Sequence, residues 1–471
     1  MLRNGLVFWV ILTCSLLVTA QPVSSGLKVS ENQRFLSTQA GKPFFYLADT
    51  GWELFHKLTR EEATFYLRNR AAKGFNVIQC VLLSEINGLT VSNREGQLPF
   101  HDLDPARPNE AYFNFVDEMV IKARDFGLFL AILPTWGAHV EDKAHPLFDN
   151  VHPFNPENAE LYGNFLGQRY KDFPNIIWVM GGDREPYGNE AIWDALVKGL
   201  KTKAGNRHLF TYHTWGGKSS SEYYHSATWL DFNMIQSGHV RRFDNNYDLV
   251  AKDYQREPVK PVLDGETTYE GLPIAFSEGN PRFSDADVRF AAYQAVFSGA
   301  LGFAYGHNSV WQMYRPELND QPILDPSLSW RDALEAPGGS QMQYLRNLIE
   351  SRPFFERKPI QEAISTSPSF ASDRQAATGD GKTYLMVYLP LYGDVTADTR
   401  HLSGKRLRVW WFDPSTGSAF PLGEKENTGT FRVDWNDRIR KNMGGPDWVL
   451  VIDDAAAGYP APGKPLIFGG K

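Results

Sequence analysis

Asn175-Ile176-Ile177-Trp178-Val179-Met180-Gly181-Gly182-Asp183 is an apolar run that stops at two glycines and a carboxylate. Consecutive apolar side chains suit a strand covered on both faces, as parallel strands in α/β proteins are. Pro261-Val262-Leu263-Asp264-Gly265-Glu266 repeats the pattern of apolar run, glycine and carboxylate. In a closed parallel barrel, strand ends of this kind meet in one cleft, where two carboxylates can act on a glycosidic bond. The plainer explanation is that a strand-end carboxylate caps the next helix. Two such residues after two buried strands favour the cleft.

Outward from these runs, strands and helices alternate. Strand patterns cover 44–49, 75–83, 128–134, 176–180, 209–213, 232–236, 261–263 and 302–305. Helical patterns cover 59–73, 111–126, 156–171, 190–204, 247–254, 285–298 and 342–350. Thr59 with Glu62 three residues on forms a capping box, and Asn155 suits the cap of the helix from Pro156. The alternation predicts a (β/α)8 TIM barrel with enlarged loops at 84–109 and 137–152. An open doubly wound sheet fits less well, because no glycine-rich phosphate loop follows the first strand. Before the barrel, 27–36 and 42–47 read as a hairpin turning at Ala40-Gly41-Lys42. Past Arg352-Pro353 short strand patterns at 383–388, 407–412, 430–433 and 448–452 predict a smaller all-β sandwich packed on the barrel. The expected division is 1–20 as a signal peptide, 21–352 as the barrel and 353–471 as the sandwich module.

The chain has 471 residues, enough for a large domain and a small one. Its 13 Trp, 20 Tyr and 31 Phe fill a core or present flat faces to sugar rings, and composition does not separate the two. A formal net charge of −7 argues against nucleic acid, whose phosphates need a basic footprint. Arg3, the apolar stretch from Leu6 to Val18 and the small residues Val18-Thr19-Ala20 form an export signal with cleavage near Ala20. That stretch is too short to be read first as a membrane span, and Leu12-Thr13 is a poor lead-in for a lipid anchor on Cys14. Cys80 is then the single cysteine after cleavage, so no internal disulfide is expected. The expected location is periplasmic or extracellular, and the expected state is a monomer.

Glycoside hydrolysis needs one carboxyl group that holds a proton and one that stays ionised. Asp183, at the end of the fourth strand, is the acid/base candidate. Glu266, at the end of the seventh, is the nucleophile candidate. Asp264 competes with Glu266, since residues two apart on a strand share a face, and Glu185 competes with Asp183. Glu53 and Glu85 sit in rim loops and are not expected to be catalysts. Asp49, Trp52, Gln79, Trp136, His213, Gln236, Tyr269 and His307 are the expected substrate-binding residues, Asp49 being either a hydroxyl binder or a buried hydrogen-bond partner, with His139, Trp215, His239 and Trp311 also at strand ends. No HExxH or close His-x-His spacing points to a metal, and no cofactor is expected. No G-x-S-x-G elbow points to an esterase.

Several segments resemble one family closely. Arg34-Phe35-Leu36, the run from Gly41 to Trp52, Gly74-Phe75-Asn76-Val77-Ile78-Gln79, Trp178 to Asp183 and Asp264 to Glu270 are similar to those of apiosidase-like barrel proteins, glycoside hydrolase family 140. The resemblance spans nearly the whole chain after residue 20. It implies a (β/α)8 hydrolase of D-apiose linkages in the pectin rhamnogalacturonan II, with the catalytic pair carried by Asp183 and Glu266. The broader retaining clan shows Asn-Glu after strand four, whereas this chain has Gly182-Asp183, which implies a shorter acid/base. The C-terminal module resembles one called collagen-binding, but no residue in it speaks for collagen and it reads as a structural companion. Two alternatives stay open: a hydrolase of another plant β-glycan, and a glycan-binding protein without catalysis.

Overall fold

The computed structural model describes residues 21–141, 150–365, 369–391, 393–433 and 446–466; the export signal expected at 1–20 lies outside them. Eight parallel strands form the central sheet: β1 Tyr46–Thr50, β2 Val77–Val81, β3 Phe129–Leu133, β4 Ile176–Gly181, β5 Leu209–His213, β6 Asn233–Gln236, β7 Val262–Glu266 and β8 Gly302–Tyr305. Their order is β5-β4-β3-β2-β1-β8-β7-β6. The ladder between β8 and β1 joins the last strand to the first. Side chains bridge the seam from β5 to β6: Thr211 Oγ1 donates to the Phe232 carbonyl at 2.7 Å, and Phe210 N donates to Asp231 Oδ2 at 2.7 Å. The result is the expected TIM barrel.

The helices α1 Arg60–Ala72, α2 Glu110–Asp125, α3 Pro156–Tyr170, α4 Glu190–Ala204, α5 Asn246–Tyr254, α6 Asp285–Phe297 and α7 Pro337–Glu350 surround the sheet. The crossover from β5 to β6 has only a single turn, Ser221–Tyr224. The capping box at Thr59 and Glu62 is present, as is the Asn155 cap. Between β2–β4 and the helices lie Ile78, Cys80, Leu130, Ile132 and Trp178, all fully buried. Ile78, Leu130 and Ile132 each contribute about 1.5–3 kcal/mol relative to exposure. No helix among the described residues is long and apolar enough to cross a membrane.

Three local expectations need correction. The N-terminal hairpin is a three-stranded antiparallel sheet of Leu27–Val29, Leu36–Thr38 and Pro43–Phe44. A turn breaks its first arm, because Ser30 Oγ accepts from Phe35 N at 3.0 Å and donates to Asn32 Oδ1 at 2.7 Å. Helix α7 starts at Pro337, not 342, despite Gly338 and Gly339. A Cβ on Gly338 would stand 2.5 Å from Glu270 Oε2, so the glycines let the helix start sit on that carboxylate.

The third correction lies in the module. Its six-stranded sheet runs β9 Lys358–Pro359, β10 Ala376–Gly379, β11 Tyr384–Leu389, β16 Trp448–Asp454, β13 Arg406–Phe412 and β14 Ala419–Glu426, with β12 Val395–Asp398 and β15 Thr430–Val433 paired beside it. The sequence pattern omitted β9, β10, β12 and β14: the first three are only two to four residues long, and β14 is an edge strand whose Pro421, Glu424, Lys425 and Glu426 lack apolar alternation. Such residues keep an edge from pairing with other chains. The module packs on α6. Arg289 pairs with Asp447 at 2.8 Å, Arg352 with Asp453 at 2.7 Å, and the Tyr293 ring stacks on Tyr388 at 4.7 Å.

Candidate active site

The end of β4 is built from glycines for a steric reason. Gly181 and Gly182 have φ of +84° and +116°, and Asp183 follows at +48°. A Cβ on Gly181 would lie 2.1 Å from the His213 carbonyl oxygen, and one on Gly182 would lie 2.8 Å from the Trp136 indole. Only glycine fits both the dihedrals and the space. Aspartate tolerates the left-handed region better than most residues, so the strand can turn and aim Asp183 into the barrel mouth.

Glu266 is placed by a different device. On β7, Asp264 pairs with Ile235 and Glu266 with Gln236, which leaves Gly265 as an extra residue. That bulge breaks the two-residue alternation. Asp264 therefore does not share the Glu266 pocket as the strand periodicity suggested. It accepts from Ser237 Oγ at 2.9 Å and from Asn246 Nδ2 of α5 at 3.0 Å. Glu266 instead lies between two histidines, with His239 Nε2 at 3.0 Å from Oε1 and His213 Nε2 at 2.9 Å from Oε2.

Asp183, His213 and Glu266 bring one donor atom each to within 4.8 Å of one another. Such a group could grip a cation, and without one the His213 imidazole and the Glu266 carboxylate stand as an ion pair at 2.9 Å. Electrostatics drive the two carboxyl groups apart. Burial raises Asp183, the negative charge of Glu266 raises it further, and it reaches about 6 although His213, Gln236 and His239 oppose this. Burial also disfavours charge on Glu266, yet His213 and His239 outweigh it and bring the group down to about 2. His213 is held above its ordinary value, since Glu266 and then Asp183 overcome its burial. One carboxyl keeps a proton where the other has lost it.

Trp52, Trp136, Gln236 and Tyr269 line an inner hollow of about 150 Å³ together with Asp183 and Glu266. His213 sits behind it, with the rings of Trp52 and Trp136 at 5.6 and 5.9 Å. The remaining expected binding residues do not line this hollow. Asp49 is fully buried, accepts from Tyr66 Oη at 2.6 Å and stands 3.8 Å from Arg70 Nη1. Gln79 donates to the Gly265 carbonyl at 2.8 Å and so supports the bulge. His307 accepts from Ser309 N at 3.0 Å as the cap of a short helix; burial, Arg70 and Arg282 bring it down to about 3, so it is neutral. Glu185 accepts from Tyr223 Oη at 2.6 Å and does not line the hollow.

The inner hollow also holds groups that strand-end counting did not single out. His239 was one polar residue among many, and its partnership with Glu266 depends on a loop conformation that spacing does not reveal. Glu85 lines the hollow as a third carboxyl, raised well above its ordinary value by burial and then by Asp183, Glu53 and Glu266. Trp311, expected at a strand end, lines the hollow too, and Leu272, Phe276, Ile323 and Leu324 complete the wall from long loops. No periodic signal marks them.

Comparison with known proteins agrees with the barrel. A solved structure described as a glycoside hydrolase is similar at 35% identity, covering 93% of this chain and 99% of that one, with a TM-score of 0.84. A family 5 glycoside hydrolase from Bacteroides vulgatus is 33% identical over 93% and 96% of the two chains, also with a TM-score of 0.84. A third, a putative glycoside hydrolase from the same organism, shares the fold at 16% identity with a TM-score of 0.65. No curated protein matches. Barrel, paired carboxylates and relatives together define a glycoside hydrolase.

The family follows from the profile described as "Apiosidase-like, catalytic domain", which matches residues 30–356. The chain belongs to that family. A second profile, "Putative collagen-binding domain of a collagenase", matches residues 359–453.

Proposed function

We propose that this glycoside hydrolase cleaves apiose-containing linkages of plant pectin, in rhamnogalacturonan II side chains, with retention of configuration. The observation that carries the reading is a protonated-type and an ionised-type carboxyl with oxygens within 4.8 Å across one aromatic-walled hollow. Glu266 attacks the anomeric carbon while Asp183 gives its proton to the departing glycosidic oxygen. The C–O bond breaks and a glycosyl ester on Glu266 forms. Water then attacks that ester, gives its proton to Asp183 and releases the sugar. Retaining pairs stand about 5–5.5 Å apart and inverting pairs about 6.5–9.5 Å, the wider gap holding a water; one oxygen of Asp183 within 4.8 Å of one of Glu266 leaves little room for that water, which supports retention.

The apiose assignment rests on the family and on the small size of the inner hollow. Export through residues 1–20 and action as a periplasmic or extracellular monomer are part of the same reading. The test is incubation with rhamnogalacturonan II oligosaccharides, mass analysis of released sugar and NMR of the first-formed anomer. Release of apiose as the retained anomer is expected. Release of another pentose or hexose would replace the substrate, and first formation of the opposite anomer would replace the stereochemistry. Asp183→Asn and Glu266→Gln are each expected to lower kcat by about a thousandfold or more; activity surviving both changes would remove the pair.

A further inference from the structure

Asp183, Gln236, His239 and Phe276 belong to two hollows at once. The second opens outward to about 460 Å³ against about 150 Å³ for the first, so it is roughly three times the roomier. The acid must face the oxygen that leaves. The bond to be broken therefore lies at the wall the two hollows share, and the departing group lies on the Asp183 side.

The outer hollow is equipped to hold a ring. Trp215 lines it and is 50% exposed, the only exposed tryptophan among the described residues. Its indole is braced: the Arg184 guanidinium sits 5.4 Å from the ring centroid, paired with Glu141 Oε2 at 2.7 Å and donating to the Asp183 carbonyl at 2.7 Å. This fixes Trp215 relative to the acid through one intervening residue. Gly216 and Gly217 add no side chains, and a Cβ on either would meet nothing within 4 Å. Arg241 and Asp244 at the edge pair with each other at 2.9 Å, which balances the charge there and leaves polar edges for hydroxyl groups.

We propose that the outer hollow is the subsite for the leaving-group residue of the substrate, a pyranose whose apolar C–H face lies on the Trp215 ring. The proposal rests on the reading of Asp183 as the acid. It also makes Trp215 a specificity-determining residue, since a flat indole selects a ring with an unbroken apolar face and the glycine floor admits its thickness.

Binding is measured on the Glu266→Gln chain, so that no probe is consumed. Tryptophan fluorescence and calorimetry follow titration with cellobiose, xylobiose and digalacturonate. At least one is expected to bind, with affinity reduced tenfold or more by adding Trp215→Ala and restored to within about threefold by Trp215→Phe, at unchanged melting temperature. A purely structural tryptophan would lower the melting temperature instead. The proposal is overturned if no probe binds, if Trp215→Ala leaves affinity within twofold, or if phenylalanine fails to restore it. None of these probes carries apiose. Their binding therefore stands or falls separately from apiose release.

Discussion

Glu266 is held by two imidazoles and Asp183 is kept protonated by burial beside a negative charge, so the active form has one proton on the pair. Activity then needs Glu266 ionised and Asp183 protonated. The kcat/KM profile is expected to be bell-shaped, rising as pH passes the Glu266 value near 2 and falling as it passes the Asp183 value near 6. A flat profile across pH 4–8 would contradict these roles. His213 sharpens the test because its charge lowers both carboxyls. His213→Gln is expected to move both limbs to higher pH, the acidic one by about a unit or more, as read from kcat/KM against pH. The two carboxylates were legible in the sequence because each ends an apolar run. The histidines' roles were not, since His239 reaches Glu266 from the loop after β6 and strand periodicity says nothing about loops. Asp49 and His307 show the converse: both stand at strand ends, yet Tyr66 and Ser309 N already occupy them.

At the scale of the element, β4 and β7 aim the catalytic groups by departing from regular strand geometry. The eight strands could be recognised because buried parallel strands write themselves as apolar runs. The bulge at Gly265 could not, because a bulge depends on the neighbouring strand's register, which one strand's sequence does not contain. Gly265 also admits Met234, whose Cγ would be 2.7 Å from a Cβ there. The turn after β4 offers a clean experiment. Gly182→Ala places a Cβ 2.8 Å from the Trp136 ring and 2.9 Å from Gly137 N at a φ of +116°. Strain of about 1–3 kcal/mol is expected, and displacement of Asp183 by about 1 Å is expected to cost about a hundredfold in kcat. Gly188 is the comparison, with φ of +81° and nothing within 4 Å of its Cβ. Gly188→Ala is expected to cost stability alone. Melting curves together with kcat separate the two, and equal kcat losses in both variants would show that the Trp136 contact does not position the acid.

Across the whole molecule, the module is tied to the barrel by buried charge as well as by aromatic stacking. The side chains of Arg352 and Asp453 are 0% and 2% exposed, and two hydrogen bonds of 2.8 and 2.7 Å join them. Arg352 also lies 5.1 Å from the Tyr459 ring centroid. Removing one member of such a pair leaves the other charge stranded, so Arg352→Ala is expected to destabilise the chain by about 3–5 kcal/mol. Replacing both, as Arg352→Met with Asp453→Leu, removes the stranded charge and is expected to recover most of that loss. Arg406 and Glu424 on β13 and β14 make a contact of 3.1 Å at side-chain exposures of 61% and 39%, where water screens the pair. Arg406→Ala is therefore expected to change stability by about 1 kcal/mol or less. Urea unfolding followed by tryptophan fluorescence measures all three, with limited proteolysis near residue 353 reporting whether the module releases first. Because Arg352 lies outside both hollows, its loss is expected to leave kcat of the folded fraction unchanged. A fall in kcat at full folding would mean that the module shapes the active site through α6, which bears the Arg289–Asp447 pair.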